Sequence, residues 1–171
     1  MEANYAMGLR YLWGDEVQAD HKRGIALLEK AVASEHVKAH FILGRVYTNT
    51  WFSAQNSQRA FELLNYAKQQ EDSYQHNLAF AQLLCTANDD KIKNVAACID
   101  EFQRLSRQVT NKSDAKIFSE YISYTLIGGS YSSTEQTSIA EFIKKAYRVQ
   151  HLDFELSISE AGYFELVKSK V

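Results

Sequence analysis

The sequence predicts an all-α fold: a right-handed α/α solenoid of antiparallel helix pairs. Three observations carry that expectation. The 171 residues contain no proline and seven glycines, a poor inventory for a turn-rich β fold. Apolar residues recur at helical spacing, as in Ile25, Leu28 and Val32. Sliding the chain against itself by 36 residues superposes Ala3 on Ala39, Gly8 on Gly44, Tyr11 on Tyr47, Arg23 on Arg59, Leu27 on Leu63, Leu28 on Leu64, Ala31 on Ala67 and Glu35 on Glu71. Average residue usage would give roughly two identities in such a window. The matches fall where two helices of a pair would touch.

The elements follow in order. In the first helix the small residues Ala3 and Gly8 allow a partner helix to approach closely, with Tyr11 filling the space beyond. The stretch 22–34 is its partner, started by Asp20 as N-cap. The second copy repeats this from Ala39 onward, with Asn56 or Ser57 as the cap and Phe61, Leu64 and Ala67 as the stripe. A further step of 36 carries Arg59 to Val95, Ala60 to Ala96 and Leu63 to Ile99, and Phe102 continues that face. Beyond residue 110, Asp114–Leu126 and Thr134–Val149 read as a fourth pair joined by Gly128-Gly129-Ser130-Tyr131-Ser132-Ser133, with Ser133 and Gln136 as a capping box. The tail from Leu156 to Val167 is expected to be a last helix covering the open end. The expected organisation is one helical-repeat domain over 1–171. Its repeats span about 3–38 and 39–74, a degenerate third pair about 75–108, and a divergent pair with its capping helix about 112–171. A unit of this kind cannot bury its apolar face alone, so neighbours must stack. A compact chain of this size hides roughly 70% of its unfolded surface, enough for a core without metals.

Charge and motifs exclude several functions. Nineteen Lys and Arg against 21 Asp and Glu leave a net charge of −2, whereas a nucleic-acid binder carries a basic excess. No apolar run approaches the roughly 18 residues of a membrane span, and Met1-Glu2-Ala3-Asn4 lacks the basic start and apolar stretch of a signal peptide. No phosphate loop, nucleophile elbow, His-Glu-x-x-His pair or dinucleotide turn is present. His36 and His40, four apart on a helix, have the spacing to share a metal, but only Glu35 is near as a third ligand. They are read as surface histidines on a helix edge, and no metal or cofactor is expected. Asp15-Glu16 and Asp89-Asp90 are read as solvated loop acids, and Asn111-Lys112-Ser113 as a sequon without force outside a eukaryotic secretory setting.

The segment from Ala3 to Asp20, with Leu27-Leu28-Glu29-Lys30-Ala31, resembles a Sel1-like repeat. Met7-Gly8, Tyr11, Gly14, Val17, Asp20 and Lys30-Ala31 match the family pattern in order, and Leu43-Gly44 and Tyr47 match it in the second copy. Glu16 stands where the family loop has its second glycine, and Thr50 and Ser53 replace Gly14 and Val17 in the second copy. The likeness fades after about residue 105. It implies a tetratricopeptide-like solenoid and a scaffold for protein–protein contacts, of a kind common in bacteria and often exported. With two cysteines, the chain does not match the family's cysteine-rich branch.

Function is expected to lie in the groove that first helices line in such a stack. Tyr5, Leu9, Leu12, Trp13, Phe41, Arg45, Asn49, Tyr74 and Asn77 fall on that side, and aromatics with arginine are what interface hot spots favour. The same positions can instead pack between adjacent repeats. The expected function is a non-enzymatic adaptor holding another protein or peptide, with no nucleic acid and no membrane insertion. The alternative is an envelope receptor or hydrolase taking a cell-wall fragment in the same groove; the convex face is a third candidate. Cys85 and Cys98 flank the turn of the third pair and form a candidate disulfide, provided the second helix starts late or the turn is asymmetric. An exported, periplasmic protein would hold that bond, and a cytoplasmic one would keep two buried thiols. Both compartments stay open.

Overall fold

The computed structural model describes residues 2–49, 52, 54–109, 118, 125, 131–150, 154–158 and 164–168. They form helices α1 (Glu2–Trp13), α2 (His21–Val32), α3 (Val37–Thr48), α4 (Ser57–Gln70), α5 (Tyr74–Thr86), α6 (Val95–Ser106) and α7 (Ser133–Gln150), followed by strands β1 (Phe154–Ile158) and β2 (Phe164–Lys168). The helix pairs stack as an α/α solenoid. Contacts divide the chain into two compact units, 1–83 and 84–171. No described helix is long and apolar enough to cross a membrane.

Residue-level devices recur from pair to pair. The Asp20 carboxylate accepts from the Arg23 N–H at 3.0 Å, and the Asn56 side-chain oxygen Oδ1 accepts from the Arg59 N–H at the same distance. Such N-caps satisfy donors that the first helical turn leaves open. The cap's own N–H then donates back to the preceding helix, Asp20 to Tyr11 O at 2.8 Å and Asn56 to Tyr47 O at 2.9 Å. Helix approach repeats as well. A Cβ on Gly8 would lie 2.9 Å from Leu28 Cγ, and one on Gly44 would lie 2.7 Å from Leu64 Cγ. The core of the first unit gathers Leu12, Leu28, Ala31, Ala39, Leu43, Val46 and Leu63.

The third pair has the same devices at a longer step. Asn94 caps α6 by accepting from the Ala97 N–H, and its own N–H reaches Leu84 O at 2.8 Å. That places the cap 38 residues after Asn56, so the expected 36-residue register is corrected here. Ala60, Leu64 and Ala67 correspond to Cys98, Phe102 and Leu105, each pair buried. The start of the pair shifts by 37. His36 Nδ1 accepts from the Ala39 N–H, and Ser73 Oγ accepts from the His76 N–H. One extra residue precedes α5 and the other lies in the 87–94 turn, where Asp89 organises the backbone through bonds from Lys91, Ile92 and Lys93. The longer turn lets α6 start one residue later, and Cys85 and Cys98 are bonded with their Cα atoms 5.6 Å apart.

In the second unit the Phe102 ring meets Phe118 edge-on and stacks on Phe142, each with ring centres 6.1 Å apart. The helix expected over 114–126, the sequon and the glycine linker lie outside the described residues, apart from Phe118, Thr125 and the linker's last three residues. The capping box of α7 sits one residue earlier than expected. Ser132 N–H donates to Glu135 at 2.7 Å and the Glu135 N–H returns to Ser132 Oγ, while the Gln136 side chain donates to Tyr131 O. Glutamate at the third helical position serves the box as well as glutamine.

The tail corrects a larger expectation. In place of a capping helix over 156–167, β1 and β2 form an antiparallel hairpin with Leu156 opposite Leu166 and Ile158 opposite Phe164. The reason is readable in the residues: Phe154-Glu-Leu-Ser-Ile158 alternates apolar and polar at a period of two, and Phe164-Glu-Leu follows suit. Gly162 lies in the connection between them.

Candidate functional site

The first unit carries one face built from the N-terminal halves of α1 and α3 and the start of α5. Tyr5, Lys38, Phe41, Ile42, Glu71, Ser73, Tyr74, Gln75 and His76 line an open pocket of about 530 Å³ there. Two histidines fix its aromatic rings. His36 stacks on Tyr5, with ring centres 4.5 Å apart. Its Nδ1 is used as the acceptor that caps α3, so Nε2 carries the hydrogen it shares with Glu2 at 2.9 Å. That bond holds the Glu2 carboxyl below its ordinary range, and burial pushes the Tyr5 hydroxyl above its own. His76 lies 4.6 Å from Phe41, ring centre to ring centre, and its Nδ1–H donates to Glu71 O at 2.8 Å. The Arg45 guanidinium stands 5.5 Å from the centre of the Phe41 ring, within cation–π range. The rings are thus locked, and the cations Lys38 and Arg45 stand exposed beside them.

Of the nine residues expected to line the groove, Tyr5, Phe41 and Tyr74 meet in this pocket. Arg45 reaches it through Phe41, Leu9 is half-buried on α1, and Asn49 is exposed at the C-cap of α3. Leu12 is corrected: it is 1% exposed and belongs to the core, packed where Gly24 brings α2 against α1. Asn77 is corrected too. It is buried, donating to Asp72 at 2.6 Å and to Ser73 O at 3.0 Å. The 37-residue step explains it. Asn77 corresponds to His40, which is also buried and bonds back four residues, to His36 O at 3.0 Å. His40 is therefore no surface histidine; it stacks on Tyr66 at 4.0 Å. Trp13 is 62% exposed and lies away from the pocket, edge-on to Phe52, which His21 also meets edge-on.

Lys38, Ile42, Gln75 and His76 were not anticipated. Lys38 and Ile42 flank Phe41 on the same helix, a legible signal. The start of α5 was hidden by the shift in step. Chemically the pocket offers rings, one apolar side chain, cations and a carboxylate. Its one side-chain nucleophile of the serine, threonine or cysteine type, Ser73, has its oxygen engaged in capping α5. Among the described residues no three His, Cys, Asp or Glu side chains converge as a metal site.

No protein-family model matches the sequence, and no curated protein aligns with it. Among solved structures, the crystal structure of a Sel1 repeat protein from Oxalobacter formigenes matches with a TM-score of 0.50 over 86% of this chain, at 15% sequence identity. This chain has the Sel1-repeat fold. It spans 58% of the length of that neighbour. In the loop after α1, Gly14 and Glu16 both take left-handed backbone, at φ 72° and 58°, the region that favours glycine.

Proposed function

We propose that this protein is a non-enzymatic interaction scaffold that holds a segment of a partner protein against the face made by α1, α3 and α5. One observation carries the reading: an open pocket of immobilised aromatic rings flanked by two exposed cations. Rigid aromatics with nearby arginine anchor protein partners at little cost in side-chain entropy. An open site with dispersed polar groups suits an extended segment better than an enclosed small molecule. The flanking cations favour a segment with an apolar or aromatic side chain next to acidic residues. The Cys85–Cys98 bond supports an oxidising compartment.

Affinity capture with the native protein and with a Lys38→Glu, Arg45→Glu variant tests this. Both side chains are exposed, so the fold survives, and the partner captured by the native chain is expected to be lost. Retention of that partner by the variant would reject the face. Turnover of a cell-wall fragment by the purified protein would instead establish the hydrolase alternative.

A further inference from the structure

The two helix pairs of the first unit share one interface design, and half of it is uncovered. Where α3 and α4 meet the preceding pair, Tyr47 Oη donates to Glu29 at 2.9 Å, and Arg59 donates to the same carboxylate at 2.7 and 3.4 Å. Burial alone would raise the Glu29 carboxyl, but the bonds from Arg59 and Tyr47 outweigh it and hold the group below its ordinary range. Around this clamp Ala39, Leu43 and Leu63 are buried, with Ile25 and Val32 of α2 packed against them.

One repeat earlier, the same residues stand ready with no carboxylate. Tyr11 and Arg23 occupy the places of Tyr47 and Arg59, with the Arg23 guanidinium 4.3 Å from the centre of the Tyr11 ring. Among the described residues no acidic side chain meets either group. Ala3, Met7 and Leu27 correspond to Ala39, Leu43 and Leu63, yet Ala3 is exposed and Met7 and Leu27 are only half-buried. This face thus carries the residues that make the interface one repeat later.

We propose that the open face of α1 and α2 docks an α-helix of a partner protein that presents a glutamate with apolar residues four before and three after it, the pattern of Ile25, Glu29 and Val32. The glutamate is received by Arg23 and Tyr11, and the apolar pair covers Met7 and Leu27. The site is separate from the α1–α3–α5 pocket and does not depend on its role. It is the charge-assisted, bidentate geometry of Arg59 with Glu29, offered to another molecule.

The test titrates the full chain with a helix-stapled peptide copying residues 21–34, followed by amide chemical shifts. Saturable shifts are expected at Ala3, Met7, Tyr11 and Leu27. Arg23→Gln in the chain, or Gln in place of the peptide's glutamate, is expected to weaken binding about tenfold, as for loss of a charge-assisted hydrogen bond. Arg10→Gln, on α1 and paired with Glu16, is expected to change nothing. No saturable shift up to millimolar peptide would overturn the proposal. So would shifts centred on Leu43 and Leu63, which would mean that the peptide displaces α2 from its own site.

Discussion

Two glutamates carry backbone strain that the fold accepts. Glu16 and Glu35 both sit at φ 58°, a left-handed conformation that costs an L side chain roughly 1–2 kcal/mol. Glu35 closes α2 in a Schellman arrangement, its N–H reaching Val32 O at 2.8 Å while the His36 N–H reaches Ala31 O at 3.2 Å. Glycine is the usual residue at that place. Glu35→Gly is expected to raise stability by about 0.5–1 kcal/mol once the added freedom of the unfolded chain is counted, read as a higher urea midpoint at unchanged slope. Glu16→Gly should gain less, because it also gives up the exposed Arg10 pair at 3.0 Å. At Gly24 the direction reverses. A Cβ there would lie 2.9 Å from Leu12 N and 3.0 Å from Gly8 O, backbone atoms that cannot swing aside, so Gly24→Ala should cost about 1–3 kcal/mol. The Glu16 strain was legible as a departure from the repeat pattern. The Glu35 strain was not, since its identity with Glu71 hides different backbones: Glu71 is extended at φ −143°.

At the scale of the element, the joint between the first two pairs is electrostatic as well as apolar, and this makes it sensitive to acid. Glu29 has a folded-state carboxyl below its ordinary range, against the pull of burial and because of Arg59 and Tyr47. Burial and the Glu29 bond push the Tyr47 hydroxyl up to about 12. A depressed carboxyl contributes stability above its unfolded value of about 4.3, and the contribution fades as pH falls through the folded value. Native protein should therefore unfold at a higher urea concentration than Glu29→Gln at pH 7, and the gap should narrow as pH falls below about 4.3. A constant gap would mean that Glu29 acts through packing alone. The first two pairs were readable because this joint, the caps and the glycine contacts all keep a 36-residue step. The third was misregistered because a longer turn shifts its cap, and periodicity of the apolar face tolerates such a slip. The tail was misread for another reason: a short apolar run fits a helix or a strand, and its alternation was the only arbiter.

At the scale of the molecule, the disulfide shows how a solenoid distributes stability. In the first and third pairs the second helix comes close to the residue that follows the cap's acceptor: Gly24 to Leu12, and Cys98 to Cys85. In the first pair, absence of a side chain permits the approach. In the third, a covalent bond makes it. The two cysteines are 13 residues apart in sequence, and closing a loop of that length is worth about 3 kcal/mol in the chain-entropy model. In a repeat fold, stability is close to a sum of unit and nearest-neighbour terms, so the loss on reduction should stay local. Two measurements check this. Under denaturing, non-reducing conditions the protein should show no free thiol. After reduction, or in Cys85→Ala with Cys98→Ala, amide exchange should rise several-fold in α6 and the 87–94 turn, while α1 to α4 exchange as before. The third pair is also where the repeat identities fade, so covalent closure there stands in for the packing that small residues supply in the first pair. Equal loosening of α1 and α2 would show instead that the chain unfolds as one cooperative body, with the bond stabilising the whole rather than its own repeat.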